Sequence, residues 1–259
     1  MDQLTVSTAL IIFHMSAWGV AQFGRFFAGL ELIMSVFFVS GIDTGIGKTY
    51  VTAMMAVYLQ RKGAKVITVK MVQTGNVGFS EDRDFHRKAM CKIFPEDSSG
   101  YTAPQIFEFP ASPLFAAARE GKKVNLYAIE NAVAKCAENY DFVLVEGAGG
   151  LCVPLTEDIL AVDFAAKKDW PLILVSCGRL GSLNHTLLSL EAANARGLKI
   201  AGVVYNYFKD ADKEIEADTA QMILKALKKA CAPEVLISTP KADDVLNLPD
   251  IDFSKIFGI

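Results

Sequence analysis

The chain lacks any cysteine pairing pattern. Its five cysteines, Cys91, Cys136, Cys152, Cys177 and Cys231, are odd in number and widely spaced, with no C-x-x-C. That argues against a disulfide framework or a zinc site and predicts reduced thiols in a cytoplasmic protein, packed as small buried hydrophobes. No run of Lys or Arg forms a basic stripe and the net charge is −3, so nucleic acid is not expected as a partner. Repeats, low-complexity tracts and long linkers are absent as well. Between Gln3 and Gly24 there is no Asp, Glu, Lys or Arg. Such a stretch is long enough to span a bilayer, yet it contains His14, Gln22 and several Ser, Thr and Gly residues, and only Asp2 precedes it as a charge. It fits neither a secretory signal nor an anchor. Residues 1–33 therefore read as an N-terminal extension outside the fold, with no stable membrane association, and residues 34–259 as one domain.

What the chain has is apolar residues, 52% of its 259, enough for a sizeable core. From Ser35 onward short apolar runs alternate with helical patterns. Strands are predicted at 36–40, 65–70, 141–146, 171–176, 199–205 and 234–237. Helices are predicted at 48–61, 81–92, about 114–120, 125–139, 159–168, 182–196 and 213–230, with a polar loop over 71–80. This alternation predicts an α/β fold: a mostly parallel sheet with helices on both faces, a three-layer architecture of the P-loop NTPase kind. Ligands of such sheets sit at the C-terminal strand ends.

The strongest motif lies between the first strand and the first helix: Gly41-Ile42-Asp43-Thr44-Gly45-Ile46-Gly47-Lys48-Thr49. Glycines let successive backbone N–H groups turn inward around a phosphate, and the helix N-terminus adds partial positive charge. Lys48 would reach the β- and γ-phosphates, and Thr49 would place its hydroxyl on Mg2+. The first glycine stands one residue earlier than the strict P-loop spacing, with Ile42 in its place, which marks a variant branch. Partitioning ATPases of the ParA/MinD kind usually carry a second lysine where this chain has Asp43.

Other residues gather round that loop. Glu146 closes an apolar strand and is followed by Gly147-Ala148-Gly149-Gly150. A carboxylate there suits Mg2+, and the small residues let backbone approach a ligand. Lys70 at the end of the second strand could offset charge in phosphoryl transfer. Asp82 and Asp84 open the next helix, and either could reach the metal. Gly181-Ser182-Leu183-Asn184 opens another helix and offers a second anion site. A lone helical histidine such as His185 reads as packing.

Together these segments resemble dethiobiotin synthetase. The chain carries the P-loop above for G-T-D-T-x-x-G-K-T, Lys70-Met71-Val72-Gln73-Thr74-Gly75 for K-P-x-x-[ST]-G, and Ser80-Glu81-Asp82. It continues with Ala111-Ser112-Pro113, Val145-Glu146-Gly147-Ala148-Gly149-Gly150, Arg179-Leu180-Gly181-Ser182-Leu183-Asn184-His185, and Val204-Tyr205-Asn206, in order over about residues 36 to 240. The resemblance implies an ATP-dependent cyclo-ligase that joins CO2 to 7,8-diaminononanoate. It implies that Asp43, Thr44, Gly45, Ile46, Gly47, Lys48, Thr49 and Tyr50 wrap the ATP phosphates, with Asn206 and Pro240 at the adenine. Thr49, Asp82 and Glu146 would hold Mg2+, and Lys48, Lys70 and Thr44 would act on the reacting groups. Thr74, Ser112 and Gly149 would meet the diamine. Gly181, Ser182 and Asn184 would bind its carboxylate from the partner subunit of a homodimer, making each active site composite.

Two positions depart from the family pattern: Met71 stands for the proline after the lysine, and Leu114 for a histidine after Ser-Pro. Two rival readings remain. A cobyrinate amidoligase-like enzyme usually carries a further amidotransferase domain, for which this chain is too short. A ParA/MinD-type ATP switch would carry the extra lysine near Asp43.

Overall fold

The computed structural model describes residues 35–206, 212–240 and 248–259. The expectation for residues 1–33 lies outside the described residues. The elements run in the order β1 (Ser35–Gly41), α1 (Lys48–Arg61), β2 (Val66–Lys70), β3 (Gln73–Thr74), α2 (Glu81–Met90), α3 (Pro95–Ser98), β4 (Ile106–Phe107), α4 (Pro113–Arg119), α5 (Leu126–Ala137), β5 (Phe142–Gly150), α6 (Ala161–Lys167), β6 (Leu172–Cys177), α7 (Ser182–Asn194), β7 (Ile200–Asn206), α8 (Lys213–Lys229), β8 (Leu236–Thr239) and α9 (Ser254–Phe257).

Six strands form one sheet in the order β2-β5-β1-β6-β7-β8, and every pairing in it is parallel. Parallel strands buried on both faces are continuous apolar runs, as in Phe38–Val39, Val143–Val145 and Leu172–Val175, all at most 1% exposed. The chain leaves β1 in one direction through α1 to β2, and later crosses in the other direction through α6, α7 and α8. Because such crossovers are right-handed, α1 covers one face of the sheet and α6, α7 and α8 the other. The strand order reverses at β1, so the crevice beyond its C-terminal end is where a ligand of this fold sits.

Several details differ from the sequence reading. β5 runs on through Gly150, so Glu146 is an interior strand residue, and Leu151 N still donates to Gly41 O at 2.9 Å. The loop 71–80 contains β3, which pairs with β4 through Gln73↔Ile106 and Thr74↔Phe107. The last strand begins two residues later than predicted. Cys136 and Cys177 are buried, but Cys91, Cys152 and Cys231 are exposed. Cys91 and Cys231 take positive φ at helix ends, so turn geometry puts them at the surface. Among the described residues no helix is long and apolar enough to cross a membrane.

Candidate active site

A cavity of about 480 Å³ opens at the C-terminal edge of the sheet, lined among others by Thr44, Lys48, Thr49, Lys70, Thr74, Asp82, Glu146 and Gly149. The turn from β1 into α1 forms its floor. Gly47 is the N-cap of α1 at φ 91°, no side chain caps the helix, and no acidic residue lies in its first turn. The free N–H groups and positive end of the helix dipole are thus left for an anion. A Cβ on Gly47 would lie 2.2 Å from Asn206 Nδ2, so only glycine fits where the loop passes the end of β7. Asn206 Nδ2 in turn donates to Ile46 O at 3.0 Å.

By contrast, α2 is capped: Ser80 Oγ accepts from Arg83 N, and Glu81, Asp82 and Asp84 fill its first turn. Ser80 Oγ also donates to Gln73 Oε1 at 2.7 Å, tying the start of α2 to β3. That cap turns Asp82 inward and Asp84 outward. Asp82 Oδ1 accepts from Thr49 Oγ1 at 2.8 Å, whereas Asp84 pairs with Arg83 at the surface. The geometry therefore favours Asp82 of the two carboxylates.

The centre of the site is a charge cluster. Glu146, with no exposed surface, accepts at Oε1 from Thr49 Oγ1 at 3.0 Å and Lys70 Nζ at 2.8 Å, and at Oε2 from His86 Nε2 at 3.0 Å. Lys70 Nζ also pairs with Asp82 Oδ2 at 2.5 Å. Lys48 Nζ donates to Asp43 O at 2.8 Å. Burial alone pushes the Glu146 carboxyl up, but the Lys70 charge and the His86 hydrogen bond outweigh it and hold the group well below the usual carboxylate range. Burial likewise opposes the Lys70 charge, and Glu146 and Asp82 more than restore it, so its pKa is raised. Lys48 lacks such tight pairing. Burial lowers it to about 8, against the pull of Glu146 and with the push of Lys70.

A hard divalent cation fits this donor set. Two carboxylates and a hydroxyl converge beside an open anion cradle, which suits Mg2+ held partly by phosphate oxygens. Among the described residues no three His, Cys, Asp or Glu side chains converge as an all-protein metal cage.

The remaining predicted residues are placed as follows. Gly45 and Tyr50 line the cavity, and Ile46 is buried beneath the loop. The Asp43 side chain does not line it; it pairs with Arg179 at 2.5 Å, which holds its carboxyl low, and accepts from Thr44 N. Pro240 follows β8 beside Asn206, whose strand partner is Thr239. Ser112 caps α4 without a side-chain hydrogen bond. Gly181 is the N-cap of α7 at φ 89°, again with no side-chain cap and no acid in the first turn. In this single chain Ser112, Gly181, Ser182 and Asn184 do not line the cavity.

A sequence profile described as an AAA domain covers residues 35–246. ATP-dependent dethiobiotin synthetase BioD 2 of Pasteurella multocida (strain Pm70) is 44% identical over 195 residues, 75% of this chain and 92% of that protein. The chain belongs to the dethiobiotin synthetase family. Another relative, the BioD of Chlorobaculum tepidum, is 47% identical over 192 residues, 74% of this chain and 80% of its own. BioD 2 of Haemophilus influenzae is 47% identical over 178 residues, 68% of this chain and 93% of its own. A solved ParA structure from pNOB8 has a TM-score of 0.52 at 14% identity, covering 86% of this chain and 93% of that one; it bears on the fold alone.

Within this dethiobiotin synthetase site, sequence reasoning missed His86 and Gln73. His86 was findable: it stands four residues after Asp82 and so shares its face of α2. Gln73 gave no signal, because its role depends on where the β3–β4 pair places it.

Proposed function

We propose that this chain is an ATP-dependent dethiobiotin synthetase that closes a cyclic urea on 7,8-diaminononanoate. The observation that carries the reading is the meeting of Thr49, Asp82, Glu146, Lys48 and Lys70 around the Gly47 cradle, in a chain 44% identical to a protein named for that activity. In this reading one amine of the substrate attacks CO2, forming a C–N bond and releasing a proton to give a carbamate. A carbamate oxygen then takes the γ-phosphoryl group of ATP, and ADP leaves. The second amine attacks the carbonyl carbon, and inorganic phosphate leaves as the ring closes.

No covalent protein nucleophile is needed; the difficulty is electrostatic. Carbamate and triphosphate are both anionic, and bringing them together requires fixed positive charge in a water-poor site. Lys48 and Lys70 supply it. Lys70 is held by Glu146 and Asp82, so it keeps its proton while buried. Lys48, lowered to about 8 by burial, would gain proton affinity beside a phosphate. Thr49, Asp82 and Glu146 would hold Mg2+, which would supply positive charge against the charge that develops in phosphoryl transfer. Thr44, beside Gly149 across the cavity mouth, would face the γ-phosphate, with Thr74 nearer the diamine.

The uncapped start of α7 at Gly181 is a second anion cradle and would take the substrate carboxylate. Since it does not line this chain's cavity, a homodimer would deliver Gly181, Ser182 and Asn184 to the partner's site. Residues 34–259 would be the catalytic unit, acting in the cytoplasm. The deciding experiment is turnover: the purified protein with 7,8-diaminononanoate, bicarbonate and Mg-ATP should yield dethiobiotin, ADP and phosphate in equal amounts. ATP hydrolysis without ring closure would refute the reading.

A further inference from the structure

The two oxygens of Glu146 are held by different kinds of partner. Oε1 meets Thr49 and Lys70, and both of those side chains line the cavity. Oε2 meets His86 Nε2 at 3.0 Å, and His86 is fully buried behind the cavity rather than lining it. A carboxylate only accepts, so Nε2 carries the proton of that bond. Nδ1 is buried with no hydrogen-bond partner among the described residues.

An imidazole with one nitrogen unmet in the interior costs free energy that an aliphatic side chain would not. What the imidazole supplies in return is the bond to Oε2. That bond matters because the terminal torsion of a glutamate is soft and roughly two-fold. Thr49 and Lys70 fix Oε1. Thr49 and Lys70 face the cavity, so their bonds to Oε1 are the ones that phosphates and metal can compete for. The His86 bond is made behind the cavity, away from that competition. His86 also sits one helical turn beyond Asp82, so a single face of α2 carries one carboxylate and the anchor of the other.

We propose that His86 is a positioning residue for Glu146, whose hydrogen bond at Oε2 keeps Oε1 aimed at the cation when Mg-ATP is bound. The inference rests on the reading of Glu146 as a metal-site carboxylate. Histidine–carboxylate pairs of this sort commonly change metal affinity about 10- to 100-fold when broken.

The test titrates Mg2+ calorimetrically into the full chain saturated with a non-hydrolysable ATP analogue, and follows the Mg2+ dependence of turnover in parallel. His86→Leu should weaken Mg2+ binding by about 10-fold or more, while analogue binding in EDTA stays within about 2-fold. His86→Gln, which places an N–H donor near the Nε2 position, should recover most of the loss. Wild-type Mg2+ affinity in His86→Leu would overturn the proposal, as would equal losses in the Leu and Gln variants, since equal losses mean packing alone. Should His86→Leu fail to fold, His86→Gln decides: near-wild-type Mg2+ binding supports the proposal and a 10-fold loss overturns it. Glu146→Gln run alongside separates the two levels. If it too keeps wild-type Mg2+ binding, the metal reading of Glu146 fails; if it loses Mg2+ while His86→Leu does not, only the role of His86 fails.

Discussion

Lys48 is held in the folded chain at a cost, and removing its charge should make the protein more stable in nucleotide-free buffer. Its pKa falls from 10.5 to about 8, chiefly because burial disfavours the ammonium. That difference corresponds to about 3 kcal/mol of penalty on the charged form. Lys48→Met keeps the length and most of the packing but loses the hydrogen bond to Asp43 O. That carbonyl belongs to a half-buried residue at the cavity mouth, where water can replace the donor, so about 1 kcal/mol is returned. The net expectation is a gain of about 2 kcal/mol at pH 7, or about 4–8 °C in Tm for a domain of this size.

The pH dependence has a definite sign. Between about 8 and 10.5 the unfolded lysine keeps its proton and the folded one does not, so wild-type stability rises through that window relative to the variant. The gap between Lys48→Met and wild type should be full below about pH 8 and close as pH approaches 10.5. Thermal melts of both proteins without nucleotide or Mg2+, at matched pH from 7 to 10, measure it. The same variant should lose turnover by about 100-fold or more, and wild-type kcat/KM for ATP should fall as pH rises through about 8. A variant no more stable than wild type at pH 7, or a gap that ignores pH, would refute the reasoning.

Glu146→Gln should lower stability by about 3 kcal/mol in urea unfolding, because Lys70 is left buried with Asp82 as its only carboxylate; the deficit should shrink as pH falls below about 4.5, where the unfolded glutamate takes up its proton. Gly47→Ala places a Cβ 2.2 Å from Asn206 Nδ2 at a φ of 91° and should abolish binding of a fluorescent ATP analogue, with a loss of at least about 1–2 kcal/mol in stability. If Gly181 to Asn184 serve the partner's site, Asn184→Ala should raise the KM for the diamine about 10-fold while sparing ATP, the size of one lost charge-assisted hydrogen bond. Mixed dimers of Asn184→Ala and Lys48→Ala subunits should then regain one working site, measured as activity above that of either parent; no gain in confirmed heterodimers would place each site within one subunit.

How much of this was legible in the sequence depends on the range of the interaction. Helix α1 matched its predicted bounds, Lys48 to Arg61, because the glycine turn before it and Gly63 after it are local signals. The order of β1, β2, β5, β6 and β7 was legible from apolar runs, since parallel strands buried on both faces leave that mark. The two-residue strands β3 and β4 left none: their pairing is set by where Lys70 and the residues after Thr102 are brought together, as in the bond from Lys70 N to Thr102 O. The choice between Asp82 and Asp84 was likewise invisible, because two residues apart on a helix they face different directions, and only the Ser80 cap and the packing of α2 beside α1 decide which looks inward. Along α7 Leu190 is buried, Leu183 and Leu187 are half-buried, and Leu188 is exposed, so part of its apolar set serves the chain's own core.

The fold by itself would not have separated a synthetase from an ATP-driven switch, since a ParA chain of 14% identity shares it and one fold hosts many functions. The difference lies in what the site does with charge. The ParA/MinD pattern usually carries a second lysine at position 43. Here that position is Asp43, its carboxylate is occupied by Arg179 of the same chain, and its carbonyl takes the Lys48 ammonium. Asp43 is thus engaged within its own chain. The second positive charge is instead Lys70, at the end of β2, buried and held by Glu146 and Asp82 at the cavity wall. A charge held there is well placed to meet a second anion beside the triphosphate. A site that must bring two anions together and expel phosphate needs that arrangement, and a site that only senses nucleotide does not.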